Sequence, residues 1–198
     1  MKPAIKAFRL NAERVQHLGG LHDAISGLMT SALDASDLLR AQVVLAVSAL
    51  DHYIHEATVE GMLEVFDGTR LPTAAFKKNK ISAGLLITSA AASRSAFEAD
   101  IRERHSFLSF QQPEKIADAV RLFYDRPLWS QLAVHLSKSE EDIKTHLRLI
   151  IDRRNKIAHE ADVDPSFPGA RWPISRQDAD DSIKFISSLC ETINLVTS

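Results

Sequence analysis

A single cysteine, Cys190, among 198 residues excludes an internal disulfide and any zinc site made of cysteines alone, and it suits a reducing compartment. Long hydrophobic runs are missing too: the longest, around Val43 to Leu50, falls far short of the roughly 20 residues a spanning helix needs. The N-terminal MKPAIKAF has no charged-then-apolar pattern with a small-residue cleavage site, so no signal peptide is expected. Neither sign of charge prevails. The net charge is −2, so contact with a nucleic acid would have to come from a local patch. Internal repeats, low-complexity tracts and linker-like stretches are also lacking. What remains is an ordinary globular composition, 45% hydrophobic and 25% charged, long enough for one domain over residues 1–198 with a real core. The expectation is a soluble cytoplasmic protein that does not enter membranes.

The apolar residues recur every three or four positions, which is the period of a helix. Residues 1–8 read as a loose lead-in. Val15, Leu18, Leu21, Ile25 and Leu28 predict a helix from Leu10 to Ser31, weakened by Gly19-Gly20 at roughly 1 kcal/mol per glycine. Ser36 suits an N-cap for a long helix to Phe66, striped by Leu39, Val43, Val47, Leu50, Ile54 and Ala57. Asp67-Gly68 ends it, and a loop follows to Lys80. Ile81 to Ile87 fits either a short strand or a helical turn. Further helices are expected from Ala90 to Leu108, from Pro113 to Tyr124 and from Pro127 to Leu136. Ser139 with Asp142, and Ser175 with Asp178, have the spacing of capping boxes before two more helices. The fold class is all-α, a helical bundle with short additional helices and irregular loops.

The densest chemistry lies in RRNKIAHE, Arg153 to Glu160, which closes the helix begun at Ser139. Ile143, Leu147, Ile150 and Ile157 form one stripe, and Arg154 falls in its middle. A guanidinium there needs an anion, an interface or a wet cleft. His159 comes five residues later, roughly 140° away around a regular helix, while Asn155 shares its side. A histidine that moves protons and an arginine that grips phosphate oxygens suit phosphodiester cleavage without metal. In that reaction a ribose 2′-OH attacks the adjacent phosphorus, and arginine stabilises the charge that builds there. One histidine fills only one of the acid and base roles, and a twofold dimer would supply the second. A polar helix end, with basic groups at the negative end of the dipole, is the plainer reading of the same residues.

Asp51-His52-His55-Glu56 makes a second constellation, since Asp51 and His55, like His52 and Glu56, are one turn apart. It reads as a paired polar face, a support for RRNKIAHE, or a metal site that lacks its remaining ligands. Lys77, Lys78 and Lys80 could meet RNA phosphates or line a solvated loop, and the same holds for Arg102, Arg104 and His105. Trp129 and Trp172 are expected to pack, with Trp172 the better placed of the two to stack on a base. Cys190 reads as core.

These stretches resemble the HEPN superfamily, whose signature is an arginine, a polar residue next, and a histidine four to six positions after the arginine. Arg154-Asn155 and His159 match it on the penultimate long helix. The segments SDLLRAQVVLAVSALDHYIHE, PTAAFKK, IRERHSF, QQPEKIADAVRLF and RRNKIAHE look like the RiboL-PSP-HEPN branch. The likeness runs from Ser36 to the final helix. It implies a homodimeric, metal-independent ribonuclease or an RNA-binding module, of the kind found among toxins and phage-defence effectors, with no cofactor. A cognate antitoxin or regulatory protein would be a partner. Carried over residue by residue, Arg154 and His159 would be catalytic, with Asn155 orienting the histidine or the substrate. Asp51, His55, Arg153 and Glu160 would support the site, and Lys77, Lys78 and Lys80 would contact RNA.

Overall fold

A computed structural model describes residues 2–28, 34–83, 93–167 and 169–198. Eight helices and no strand are present among them: α1 Pro3–Ser26, α2 Ser36–Phe66, α3 Ala74–Lys77, α4 Arg94–His105, α5 Pro113–Val120, α6 Leu128–Leu136, α7 Glu140–His159 and α8 Arg176–Thr197. The only β pairing among these residues is an isolated bridge, Val163 to Arg171. The all-α expectation holds. The part of the Ile81–Ile87 stretch beyond residue 83, the start of the helix expected at Ala90, and the end expected at Ser31 lie outside the described residues.

The N-terminus corrects the reading of a loose lead-in. Pro3 opens α1 in its first turn, where its missing N–H costs nothing. Ala4, Ile5 and Phe8 are buried, Ile5 completely. The amide of Ala4, one of the donors a helix start leaves unpaired, donates to Glu60 Oε1 at 2.7 Å. The helical period therefore begins at the terminus. It also passes through the glycine pair, because Gly19 leaves room for a crossing side chain. A Cβ there would lie 2.5 Å from Cζ of Arg176.

Side-chain oxygens start several of the other helices. Ser139 accepts from the Asp142 amide at 3.0 Å, and Ser175 and Asp178 form a full capping box. Ser36 is not an N-cap, as the sequence suggested. It is the first residue of α2, and Asp34 accepts its N–H at 2.8 Å. The helix expected to reach Tyr124 stops at Val120.

Helix α2 lies at the centre, in contact with α1, α4, α5, α7 and α8. Val47, Leu50 and Ile54 of α2 join Ile5 and Phe8 of α1, Ile143 and Leu147 of α7, and Ile186, Leu189 and Cys190 of α8 in one buried cluster. Each such fully buried aliphatic contributes about 1.5–3 kcal/mol. A smaller cluster of Leu39, Val43 and Ala179, with Ile157 packed on it, pins the C-terminal end of α7 to the start of α2. That contact sets the motif beside the first turns of α2.

Candidate active site at the end of α7

On α7 the apolar stripe of Ile143, Leu147, Ile150 and Ile151 is buried, and Arg154 follows it where the core gives out. Its guanidinium is half-buried and turned along two neighbours. Nη1 donates to Oδ1 of Asn155 at 2.9 Å, and Nη2 donates to Oε1 of Gln111. Both acceptors are neutral amides. Most arginines of this chain end instead on a carboxylate, as in Arg9 on Glu191, Arg102 on Glu56 and Arg176 on Asp180. Among the described residues, no hydrogen-bonded acid compensates the positive charge of Arg154.

Asp51 decides how Gln111 presents itself. An ionised carboxylate only accepts, so the amide end of Gln111 faces it, with Nε2 donating to Oδ2 at 3.2 Å. The carbonyl end is thereby left for Arg154. The other Asp51 oxygen accepts the Phe110 amide at 2.6 Å. Phe110 is held between two imidazoles, with ring centroids 4.5 Å from His55 and 5.6 Å from His105. His55 Nε2 stands 3.9 Å from Asp51. Asp51 and His55 thus reach the motif through the Phe110–Gln111 segment, which precedes α5. Gln111 was not singled out in the sequence, because its partner is 43 residues away and a glutamine before a helix-opening proline carries no sign of that contact.

The helix continues unbroken to His159, and Glu160 caps it with its amide donating to Lys156 O at 3.0 Å. The angular offset between Arg154 and His159 therefore persists, and no hydrogen bond joins them. Asn155 stands between: it holds the guanidinium and lies roughly 40° from His159 around the helix. His159 and Glu160 are exposed, and neither side chain has a hydrogen-bond or ion-pair partner among the described residues.

Arg153 turns to the other side. It donates to Asp162 Oδ2 at 2.8 Å, and Arg40 of α2 donates to the same oxygen at 2.7 Å. Both arginines also reach the Trp172 carbonyl. Asp162 is fully buried, and Arg40 is 6% exposed. Burial pulls the Arg153 guanidinium below its ordinary value, against the opposing pull of Asp162. Ala161 and Asp162 both take left-handed backbone, at φ 52° and 58°, which turns the chain back over the helix end. Arg153 is thus an anchor for the segment after the motif. Trp172, half-buried in that segment, lies under Lys156 at 5.2 Å.

The remaining candidates are dispersed. Glu56 is held by Arg102 at 2.6 and 3.0 Å, which corrects the expected pairing with His52. Arg104 is paired with Asp100. No group of three or more His, Cys, Asp or Glu is placed to hold a metal ion among the described residues. Lys77, Lys78 and Lys80 are exposed, but α3 leans through Phe76 on the cluster around Met62. Met62 lies about three turns, or roughly 16 Å, along α2 from Asp51. Trp129 is buried, and Cys190 is core, its thiol pushed up by burial. No described helix is long and apolar enough to cross a membrane.

No curated protein and no solved structure matches the chain. The model of one family, RiboL-PSP-HEPN, matches residues 10–197, and so takes in α2, Gln111 and the whole of the α7 motif. With a match over nearly its full length, the chain belongs to the RiboL-PSP-HEPN family.

Proposed function

Family membership points to a nuclease or an RNA-binding module, and we propose the first: a metal-independent endoribonuclease that works as a homodimer. The observation that carries the proposal is Arg154, a half-buried guanidinium at the end of a core stripe, held in place by two neutral oxygens and by no acid. Such a group is oriented in advance and still free to take a phosphate. His159 removes the proton of a ribose 2′-OH. The O2′–P bond forms, the P–O5′ bond breaks, and Arg154 stabilises the charge on the non-bridging oxygens. The leaving O5′ takes a proton from the His159 of a second copy. The products end in a 2′,3′-cyclic phosphate and a 5′-hydroxyl. Asn155 orients the guanidinium, Asp51 acts through Gln111 as a positioning residue, and the dimer brings Arg154 and His159 of different copies together. A toxin or phage-defence effector, held by a cognate antitoxin or regulatory protein in the cytoplasm, is the setting this activity fits.

The test is cleavage of total RNA in excess EDTA by the parent, Arg154→Ala and His159→Ala, with subunit mass measured in parallel. Metal-free fragments ending in cyclic phosphate, lost in both variants at unchanged fold, are expected from a dimer. Cleavage by a strict monomer would remove the two-histidine step. One observation favours the second reading, RNA binding without cleavage: His159 is exposed and no described residue orients it. Salt-sensitive RNA affinity without any product would select that reading.

A further inference from the structure

Helices α1 and α2 enclose an open cleft of about 480 Å³ that the proposed chemistry does not use. Its floor is apolar, with Val15 and Ala49 buried, and Leu18 and Leu45 form the sides. Arg14 and His52 supply its basic groups, with Asn11 and Ser48 as neutral hydrogen-bonding partners. No acid lines it.

Neither basic group has a hydrogen-bonded or ion-paired acid among the described residues, although Glu56 attracts His52 through space. Arg14 has no ion-pair partner among the described residues, unlike most of the chain's arginines. The acid one turn after His52 is Glu56, and Arg102 occupies both of its oxygens. Glu13, next to Arg14, is exposed and projects roughly 100° away around α1.

An apolar slot rimmed by an arginine, a histidine and neutral polar groups matches one kind of ligand: a flat, largely apolar ring system joined to a phosphate. Its volume lies within the ordinary range of small-ligand sites. Its position is the second argument. His52 follows Asp51 directly, so the cleft and the Arg154 site lie on adjoining faces of one turn of α2. The half-buried His55 stands between them.

We propose that this cleft is a nucleotide subsite, in which Arg14 and His52 hold the phosphate and the Leu18–Leu45 walls take the base of an RNA residue a few positions from the one cleaved. The assignment rests on the RNA reading of the α7 site, but its test does not.

Amide spectra of the full-length protein are recorded on titration with millimolar AMP, CMP, GMP and UMP, and with inorganic phosphate alone. Shifts clustered in residues 11–18 and 45–52, stronger with nucleotides than with phosphate, are expected. They should vanish in Arg14→Ala and His52→Ala, which alter exposed side chains and leave the core intact, and persist in Arg154→Ala. In parallel, Arg14→Ala should weaken binding of a single-stranded RNA oligonucleotide at least about tenfold, the size of one charge-assisted phosphate contact. No shift at any nucleotide, equal shifts with phosphate alone, or shifts that survive both cleft variants would overturn the subsite. A protein that fails to cut RNA but still shows these shifts keeps the cleft and loses only the nuclease reading.

Discussion

Asp162→Asn isolates the charge that holds down the segment after the motif. The amide oxygen keeps the shape of Oδ2, which accepts from Arg40 at 2.7 Å and from Arg153 at 2.8 Å. The amide nitrogen falls where Oδ1 is buried without a partner. Asparagine also tolerates the left-handed φ of 58° as well as aspartate does, so the backbone term cancels. Only the charge is lost. Arg40, 6% exposed, then remains in the interior beside Arg153 with only the exposed Asp37, 3.7 Å away, as a counter-ion. Breaking a buried pair in this way costs about 3–5 kcal/mol. At about 2–4 °C per kcal/mol for a domain of this size, Tm should fall by about 6–20 °C. Urea unfolding and thermal melts measure the loss, and adding Arg40→Met should recover part of it by removing the stranded charge. A loss under about 1 kcal/mol would show that water reaches the trio and that it behaves as a surface pair. The claim that Arg153 and Arg40 anchor this segment would then fall.

Gln111→Glu places a carboxylate against Arg154 and neutralises the group proposed to take phosphate; RNA affinity by fluorescence anisotropy should drop about tenfold or more at unchanged fold. Equal affinity would remove the importance given to a neutral partner. Burial lowers His105 to about 4, with the neighbouring Arg104 adding to the effect, while the unfolded ring titrates near 6.5. The unfolded chain therefore binds the proton first. The stability that the neutral ring contributes is complete above about pH 6.5 and is lost as pH falls towards 4, and urea midpoints across that window should show a slope that His105→Gln flattens. A slope unchanged in the variant would assign it to other groups. Phe8→Ala should cost about 3–5 kcal/mol, because this ring is buried and packs on Tyr53 at 5.6 Å. A loss under about 1 kcal/mol would return the first residues to the loose lead-in that their sequence suggested.

The helical class was legible because a 3.6-residue repeat records which face is buried, whatever it is buried against. The stripes of α2, α7 and α8 and the caps at Ser139 and Ser175 depend only on neighbours within a turn or two. The same local logic singled out Arg154, since a charge on an apolar stripe is out of place in any fold, whereas His159 and Asn155 were joined to it by the family resemblance. It failed at the N-terminus and at Ser36. There the decisive partners were the Glu60 carboxylate for Ala4, the core awaiting Ile5 and Phe8, and the Asp34 oxygen in place of Ser36's own.

The tertiary structure alone chose among chemically equivalent partners. Asp51 could have paired with His55, and Glu56 with His52. Asp51 keeps His55 at 3.9 Å but accepts its hydrogen bonds from the Phe110 amide and Gln111, and Glu56 took Arg102. Arg153 and Arg154 are adjacent in sequence, yet one is tied to a buried acid and the other to two amides. A turn of roughly 100° points them into different surroundings. Sequence spacing says which side chains share a face of a helix. Which of them keep their charge for a ligand depends on what the neighbouring helices bring against that face, and only the packed chain decides it.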